Sequence, residues 1–268
     1  MKLLLSTANV LLVANAALAK PMAALKQEAR DAIRARNAIR STHTFIPSPG
    51  SVASADINGT AAVQSSNWAG AAIVTSGVTK VSGTFTVPRP SVPSGGSTRT
   101  EYCGAAWVGI DGYSNSDLIQ TGVLWCVQNG AYEYEAWYEY LPAALVGYSG
   151  ISVTAGSVVT VTATKTGSNS GVTTLSSGGQ TVSHTFSGQS SPLPGASAEW
   201  IVEDFLSGGS EVPFANFGTV TFTGSSAVVN GATVTPGGDG ATIIYLEENN
   251  QVLTSTTVSG GTVTVTYE

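Results

Sequence analysis

The sequence predicts an all-β fold, a sandwich of two antiparallel sheets, for residues 61–268. Val and Thr alternate along residues 158–164 and 262–267 with the two-residue period of strands that bury one face. Short segments of this kind are separated by Gly, Ser, Pro or Asn, and no helical pattern alternates with them as a parallel sheet would require. About 200 residues of this pattern suit a single sandwich domain.

The first 60 residues differ from the rest and are predicted to hold a signal peptide, a pro-segment and a linker that contains the processing point. Residues 1–19 indicate a signal peptide, because Lys2 precedes an apolar run that ends in small residues. Residues 20–60 are the predicted pro-segment and linker: apolar residues recur at helical spacing among basic ones over 22–40, and Ser, Pro and Gly dominate 41–60. The mature domain, residues 61–268, is therefore expected to be secreted and extracellular.

Charge is divided unevenly between these regions. The first 60 residues hold 7 of the 11 Lys and Arg but 3 of the 17 acids, which leaves the domain with 4 bases, 14 acids and a formal net charge of −10. Nucleic acid and anionic membranes are poor partners for such a domain, and no later apolar run approaches the roughly 20 residues of a membrane span. Few bases also favour tolerance of acid, although many secreted proteins are simply acidic.

The two cysteines, Cys103 and Cys126, indicate one disulfide in a secreted chain. If residues 102–127 form a hairpin centred between Ser114 and Asn115, the two cysteines lie opposite each other. A single β-bulge would break that symmetry. We predict that Cys103 and Cys126 are bonded.

The domain is poor in the usual catalytic residue types. His184 lies in an ordinary strand pattern, which argues against a Ser-His-Asp site. One histidine and two paired cysteines supply too few ligands for zinc, and a disulfide leaves no thiolate nucleophile. Carboxylates and amides remain as the candidate catalytic groups.

One predicted strand carries three acids beside a tryptophan. The two-residue period puts Glu133, Glu135, Trp137 and Glu139 on one face of residues 132–140 and the tyrosines on the other. This face is either an electronegative aromatic groove or a solvated outer face above inward-packed tyrosines.

A second predicted strand, residues 198–205, places Glu199, Ile201, Glu203 and Phe205 on one face. A carboxyl between Ile201 and Phe205 should be partly desolvated, which raises its pKa and suits it to proton transfer in acid. A buried, satisfied structural Glu is the alternative. Taken by itself, Gln120 would be interpreted as an ordinary glutamine of a strand.

At these residues the sequence resembles the glutamic peptidases of filamentous fungi, the eqolisin family. The matching stretches occur in the family's order: Ser-Asn-Trp-Ala-Gly at 66–70, Trp-Val-Gly-Ile-Asp-Gly at 107–112, Leu-Ile-Gln-Thr-Gly at 118–122, Ala-Trp-Tyr-Glu at 136–139, and Ala-Glu-Trp-Ile-Val-Glu-Asp-Phe at 198–205. The resemblance implies a concanavalin-like β-sandwich and an acid-acting endopeptidase that needs no metal or cofactor.

The resemblance also implies roles for particular residues. Gln120 and Glu203 match the family's catalytic Gln and Glu, and four further positions match residues that line its substrate cleft: Trp107, Asp111, Trp137 and Glu139. In this interpretation Glu203 activates water and then protonates the leaving nitrogen, while the Gln120 amide donates to the oxyanion. Polypeptides are the expected substrates, and the chain is expected to be a monomer.

Two other function classes remain open from the sequence. A carbohydrate-binding or glycoside-cleaving sandwich also presents Trp and Glu; Glu199 and Glu203, roughly 13 Å apart on one strand, are too distant for a glycosidase pair, whereas Glu133 and Glu135 at roughly 7 Å are not excluded. A non-catalytic secreted binding protein is the third possibility.

The basic pro-segment is expected to bind the acidic domain as an inhibitor or chaperone. Its charge complements the groove near neutral pH, and acidification should neutralise the carboxylates and loosen the contact. A soluble spacer without a binding role is the alternative.

Overall fold

The computed structural model describes residues 40–49, the backbone of residues 54–55, and residues 61–268. Their regular structure is entirely β, in the strands β1 Arg40–Ser41, β2 Ser54–Ala55, β3 Ala61–Ser65, β4 Trp68–Val74, β5 Val78–Thr86, β6 Tyr102–Ile110, β7 Ile119–Gln128, β8 Ala131–Tyr140, β9 Val146–Gly147, β10 Val158–Gly167, β11 Ser170–Ser177, β12 Gln180–Phe186, β13 Ser197–Glu203, β14 Leu206–Ser207, β15 Ser210–Glu211, β16 Thr219–Val229, β17 Ala232–Val234, β18 Thr242–Glu248, β19 Gln251–Val252, β20 Thr254–Ser259 and β21 Thr262–Tyr267. No helix among these residues has the length and apolarity to cross a membrane.

Two large sheets form the predicted sandwich. One has the order β2-β3-β18-β4-β13-β6-β7-β8-β9 with β19 beside β18, and the other has β12-β11-β10-β5-β16-β21-β20 with β17 beside β16. The all-β, largely antiparallel fold is thus confirmed. The pair β3–β18 is parallel, which differs from the prediction. These two strands are far apart in the chain, so no short turn forces them to run in opposite directions.

The larger sheet is buried on both faces. Trp200 points into the core between the sheets, where its indole Nε1 donates to the Ser82 carbonyl over 2.9 Å. Its neighbours Ile201 and Glu203 lie on the outer face, beside a second apolar cluster that includes Trp68 and Phe205. This two-sided burial explains why every residue of β13 is buried rather than every second one.

The hairpin β6–β7 has the predicted register. Cys103 lies opposite Cys126, and Ile110 lies opposite Ile119 at the loop end. No bulge interrupts the pairing, and the two cysteines form the predicted disulfide.

Most of the predicted pro-segment helix, residues 22–39, lies outside the described residues. Its last residue, Arg40, is described, and the helical prediction is wrong there because Arg40 belongs to β1. Arg40 and Ser41 pair with Ser207 and Leu206 of β14, which itself pairs with β15 in a small three-stranded sheet. Strand pairing thus outweighs the local helical pattern at this residue.

Candidate active site

The outer face of the larger sheet brings together five of the residues singled out in the sequence. They lie on the neighbouring strands β13, β6, β7 and β8, and all are almost fully buried: Glu203, Trp107, Gln120, Trp137 and Glu139. Gln120 and Glu139 are directly opposed across β7 and β8. The strand order therefore places residues from distant parts of the chain side by side on one face of the sheet.

Gly122 makes room for the two tryptophans on this face. It is paired with Trp107 on β6 and with Trp137 on β8. A Cβ at this position would lie 2.1 Å from the Ala106 carbonyl oxygen and 2.6 Å from the Trp107 Cβ, closer than atoms approach in proteins. The glycine of the Ile-Gln-Thr-Gly stretch is thus required by packing beside the candidate site.

The side-chain amide of Gln120 is held by hydrogen bonds. Its Nε2 donates to Glu139 Oε2 over 2.9 Å and also to the Thr42 hydroxyl, and that hydroxyl in turn donates to Glu139 Oε2. The Gln120 Oε1 has no hydrogen-bond partner among the described residues. The amide nitrogen is therefore the end of Gln120 that faces the segment containing Thr42.

Glu203 is held by indole and backbone donors. Its Oε2 accepts from Trp107 Nε1 over 2.8 Å, and its Oε1 accepts from the His43 backbone N–H over 2.8 Å. Trp68 packs edge-on against Trp107, with ring centroids 4.9 Å apart, and its Nε1 donates to the His43 carbonyl over 2.9 Å. The arrangement fixes one carboxylate oxygen and directs the other at a peptide group.

Burial sets the electrostatics of the two carboxyls. Desolvation raises the pKa of Glu139 to about 8, against the lowering effect of hydrogen bonds from Thr42, Gln120 and the Leu145 backbone. Desolvation also raises the pKa of Glu203 well above its ordinary value, and the nearby charge of Glu139 raises it further. Both groups therefore hold protons more firmly than free glutamates do while the site is covered.

The cover is the cleft segment, residues 40–46, which precedes the domain. At one end, Arg40 Nη1 donates to Glu133 Oε1 over 2.9 Å, and the guanidinium lies 5.9 Å from the Phe205 ring centroid. At the other end, Phe45 stacks on Tyr113 with a centroid distance of 4.7 Å. The central residues of the segment contact Gln120 and Glu203, so an extended peptide of this chain passes directly over both groups.

Asp111 occupies a different environment from the other predicted residues. Its carboxylate accepts from the backbone N–H groups of Gly195 and Ala196 over 2.9 and 2.7 Å and from Asn115 Nδ2 over 3.1 Å. These bonds anchor the turn that leads into β13. A substrate-lining role for Asp111 stays a prediction.

Three groups around the site were not predicted. Trp68 belongs to the Ser-Asn-Trp-Ala-Gly stretch, and that match was the one signal for it. Thr42 and His43 lie in the linker predicted for removal, and no pattern in the sequence indicates that they reach Gln120 and Glu203. His184 lies on β12 stacked on Tyr138 with a centroid distance of 4.1 Å, in keeping with the structural role expected from its strand pattern.

Residues 66–267 match the Peptidase A4 family. Aspergillopepsin-2 of Aspergillus niger is 43% identical over 275 residues, which cover 96% of this chain and 96% of that protein. Scytalidopepsin B of Scytalidium lignicola is 40% identical over 222 residues, covering 79% and 81% respectively.

Solved structures resemble the fold as well. The crystal structure of scytalido-glutamic peptidase with a transition state analog inhibitor has a TM-score of 0.67 and 36% identity, covering 76% of this chain and 98% of that one. The crystal structure of aspergilloglutamic peptidase from Aspergillus niger has a TM-score of 0.60 and 46% identity, covering 62% of this chain and 99% of that one. The eqolisin resemblance inferred from the sequence is thus confirmed.

Proposed function

Because the chain belongs to the Peptidase A4 family and is a glutamic-type endopeptidase, we propose that it hydrolyses peptide bonds in acid with Gln120 and Glu203 as its catalytic pair. One observation carries the pairing. Consecutive residues of an extended peptide reach the two groups, since the Thr42 side chain contacts the Gln120 amide and the His43 N–H donates to Glu203 over 2.8 Å. A substrate chain lying where the cleft segment lies would meet the same two groups.

The chemistry divides between a base and a donor. Glu203 Oε1 takes a proton from a water molecule as the water oxygen attacks the scissile carbonyl carbon, while Oε2 stays fixed by Trp107 Nε1. The Gln120 Nε2–H donates to the oxyanion that develops on the carbonyl oxygen. Glu203 then gives the proton to the leaving nitrogen as the C–N bond breaks, which regenerates its carboxylate. An amide donor suits acid because it keeps its hydrogens at any working pH.

The cleft segment controls the pKa of Glu203, the proposed base. While the cleft segment excludes water, burial holds the pKa of Glu203 well above its ordinary value, so the carboxyl is a poor proton acceptor in acid. When the segment leaves, water enters and the desolvation that raises the pKa decreases. The pKa of Glu203 then falls toward the acid pH range in which we propose that the enzyme works.

The cleft segment supports a second part of the proposal, that the pro-segment keeps the enzyme latent. The Thr42 hydroxyl lies against both Gln120 and Glu139, in the space that a substrate and its attacking water would need. Arg40 anchors the segment through Glu133. We propose that the monomeric chain is exported as this latent form and that removal of residues 20–60 opens the cleft.

Acid digestion tests the reaction class. The processed protein, incubated with denatured haemoglobin and separately with a polysaccharide at acid pH, should release peptides and no sugars. Sugar release without peptides would favour the glycoside-cleaving alternative, and no product from either would favour a binding protein.

A further inference from the structure

A second group of carboxyls lies close to Glu203 and takes no part in the proposed reaction. Asp204 follows β13, Glu211 ends β15, and Glu248 ends β18. One carboxylate oxygen of each lies within 4.8 Å of the others. Three separate strands thus converge on one point through side chains of the same charge.

Asp204 is the unusual member of this cluster. Its side chain is 2% exposed, and neither of its carboxylate oxygens accepts a hydrogen bond from a described residue outside the cluster, although a protonated Asp204 is placed to donate to Glu248. Burying a carboxylate without a counter-charge or donors is strongly unfavourable. The groups that face it are Glu203, Glu211 and Glu248, which add negative charge, and Tyr267 lies beside Glu248. No Lys, Arg or His of the described residues pairs with the cluster.

A hard cation would resolve this imbalance. Calcium binds carboxylate oxygens at about 2.3–2.6 Å, so two oxygens on one ion lie at most about 5 Å apart. The separations in the cluster meet that limit. Each carboxylate can bind through one or two oxygens, and the exposed Glu211 and the half-buried Glu248 leave positions for water. The donors are all oxygen, which suits calcium rather than zinc or copper.

We propose that Asp204, Glu211 and Glu248 bind one Ca²⁺ ion at neutral pH. The ion would join the end of β13 to the β14–β15 hairpin and to β18. Because β14 pairs with β1 of the cleft segment, the ion would also steady the hairpin that holds the latent form together. Protons compete with the ion for the same oxygens, so binding should weaken in acid.

Calcium titration of the full-length protein at pH 7 tests the site. We expect one Ca²⁺ bound per chain by calorimetry or equilibrium dialysis, and a Tm about 5–10 °C higher at a hundredfold excess over Kd than with a chelator. Mg²⁺, which requires a tighter octahedral geometry, should raise the Tm less. Absence of bound Ca²⁺ up to millimolar concentrations would overturn the proposal and leave protons alone to neutralise Asp204.

Substitutions of Glu211 and Glu248, the two proposed ligands that are not fully buried, locate the ion without disturbing the buried Asp204. Glu211→Gln and Glu248→Gln should each weaken Ca²⁺ binding at least tenfold and reduce the Tm increase. Glu247→Gln is the matched control, because Glu247 precedes Glu248 on β18 and its side chain points to the opposite face. Equal Tm shifts from Ca²⁺ and Mg²⁺ that survive both ligand variants would indicate general charge screening and contradict the site.

Discussion

Gln120 and Glu139 are directly opposed on β7 and β8, and the amide Nε2 donates to the carboxylate Oε2 over 2.9 Å. This bond decides which end of the amide faces the cleft segment. Because Glu139 Oε2 accepts this bond, it holds the nitrogen of Gln120 and leaves the second N–H of that nitrogen directed at the cleft segment. Glu139 thus positions the proposed oxyanion donor, which separates its role from that of Glu203.

The first prediction concerns the catalytic pair. Glu203→Gln removes the proton acceptor, and kcat/KM of the processed enzyme in acid should fall close to background. Gln120→Ala removes the oxyanion donor and should cost about 10²- to 10³-fold. The double variant should be little worse than the more damaging single one, because both groups serve one transition state. Circular dichroism checks folding, and appreciable turnover by folded Glu203→Gln would contradict the assignment.

The second prediction separates positioning from proton transfer. Glu139→Gln replaces the acceptor of Gln120 with an amide that can present either oxygen or nitrogen, so the donor should become less well oriented. We expect kcat to fall about tenfold to a hundredfold while KM changes little. The acid limb of the pH profile should persist, since Glu203 remains. Loss of activity as complete as that of Glu203→Gln would instead make Glu139 a proton-transfer group.

The third prediction is a pH dependence of stability. The folded-state pKa of Glu139 is raised from 4.5 to about 8, so its contribution to stability is present below pH 4.5 and is lost as pH rises through about 8. Asp204, raised from 3.8 to about 11, acts in the same direction. For the full-length chain in metal-free buffer, with a Gln120→Ala background that slows self-digestion, the Tm should fall between pH 4.5 and 8.

Glu139→Gln in that background provides the control, because it removes one of the titrating groups. The fall in Tm across the same pH interval should become smaller. A Tm that rises with pH in both proteins would show that the buried carboxyls are not the groups that govern stability.

The fourth prediction concerns latency. A synthetic peptide of residues 20–46 should inhibit the processed enzyme, and Arg40→Ala in the peptide or Glu133→Gln in the enzyme should each weaken inhibition at least tenfold by removing the partly buried salt bridge between them. Combining both changes should add little, as expected for one interaction. A peptide that neither binds nor inhibits at any pH would contradict the latent form.

Inhibition by the peptide should also depend on pH. The pKa values of Glu139 and Glu203 are raised while the site is covered, so the covered site prefers protonated carboxyls. The peptide should therefore bind more tightly as pH falls, and inhibition constants measured across pH test this effect.

The fifth prediction tests the packing beneath the site. Gly122→Ala places a Cβ against the Ala106 carbonyl oxygen and the Trp107 Cβ. Neither atom can move away without a shift of the β6 backbone. We expect destabilisation of about 3 kcal/mol or more. Gly167→Ala is the control, because its nearest neighbour would be the Ser170 Cβ at 3.6 Å. Equal Tm values for the two variants would contradict this view of the tryptophan packing.

Local patterns in the sequence predicted the parts of the structure that depend on neighbouring residues. The two-residue period placed Trp137 and Glu139 on one face, and the symmetry about the β6–β7 loop paired Cys103 with Cys126. The role of Gln120 came from the resemblance alone, whereas the apolar neighbours of Glu203 on its strand already predicted a raised pKa suited to proton transfer. Their proximity depends on the order of strands in the sheet, which no local period encodes.

The features that were missed are contacts between distant segments. Residues 42 and 43 reach Gln120 and Glu203 across 78 and 160 positions of the chain. The convergence of Asp204 with Glu248 likewise depends on where β18 enters the sheet. Alternation and composition describe each strand separately, so neither indicates which strands meet.

The pairing of Arg40–Ser41 with β14 has a consequence for the processed enzyme. If residues 40–41 are removed, as we propose, β14 becomes an edge strand whose outward N–H and C=O groups have lost their partners. An extended substrate can restore those bonds through its own main chain, whatever its side chains are. Such backbone recognition would let one cleft accept many polypeptide sequences, provided that they arrive unfolded.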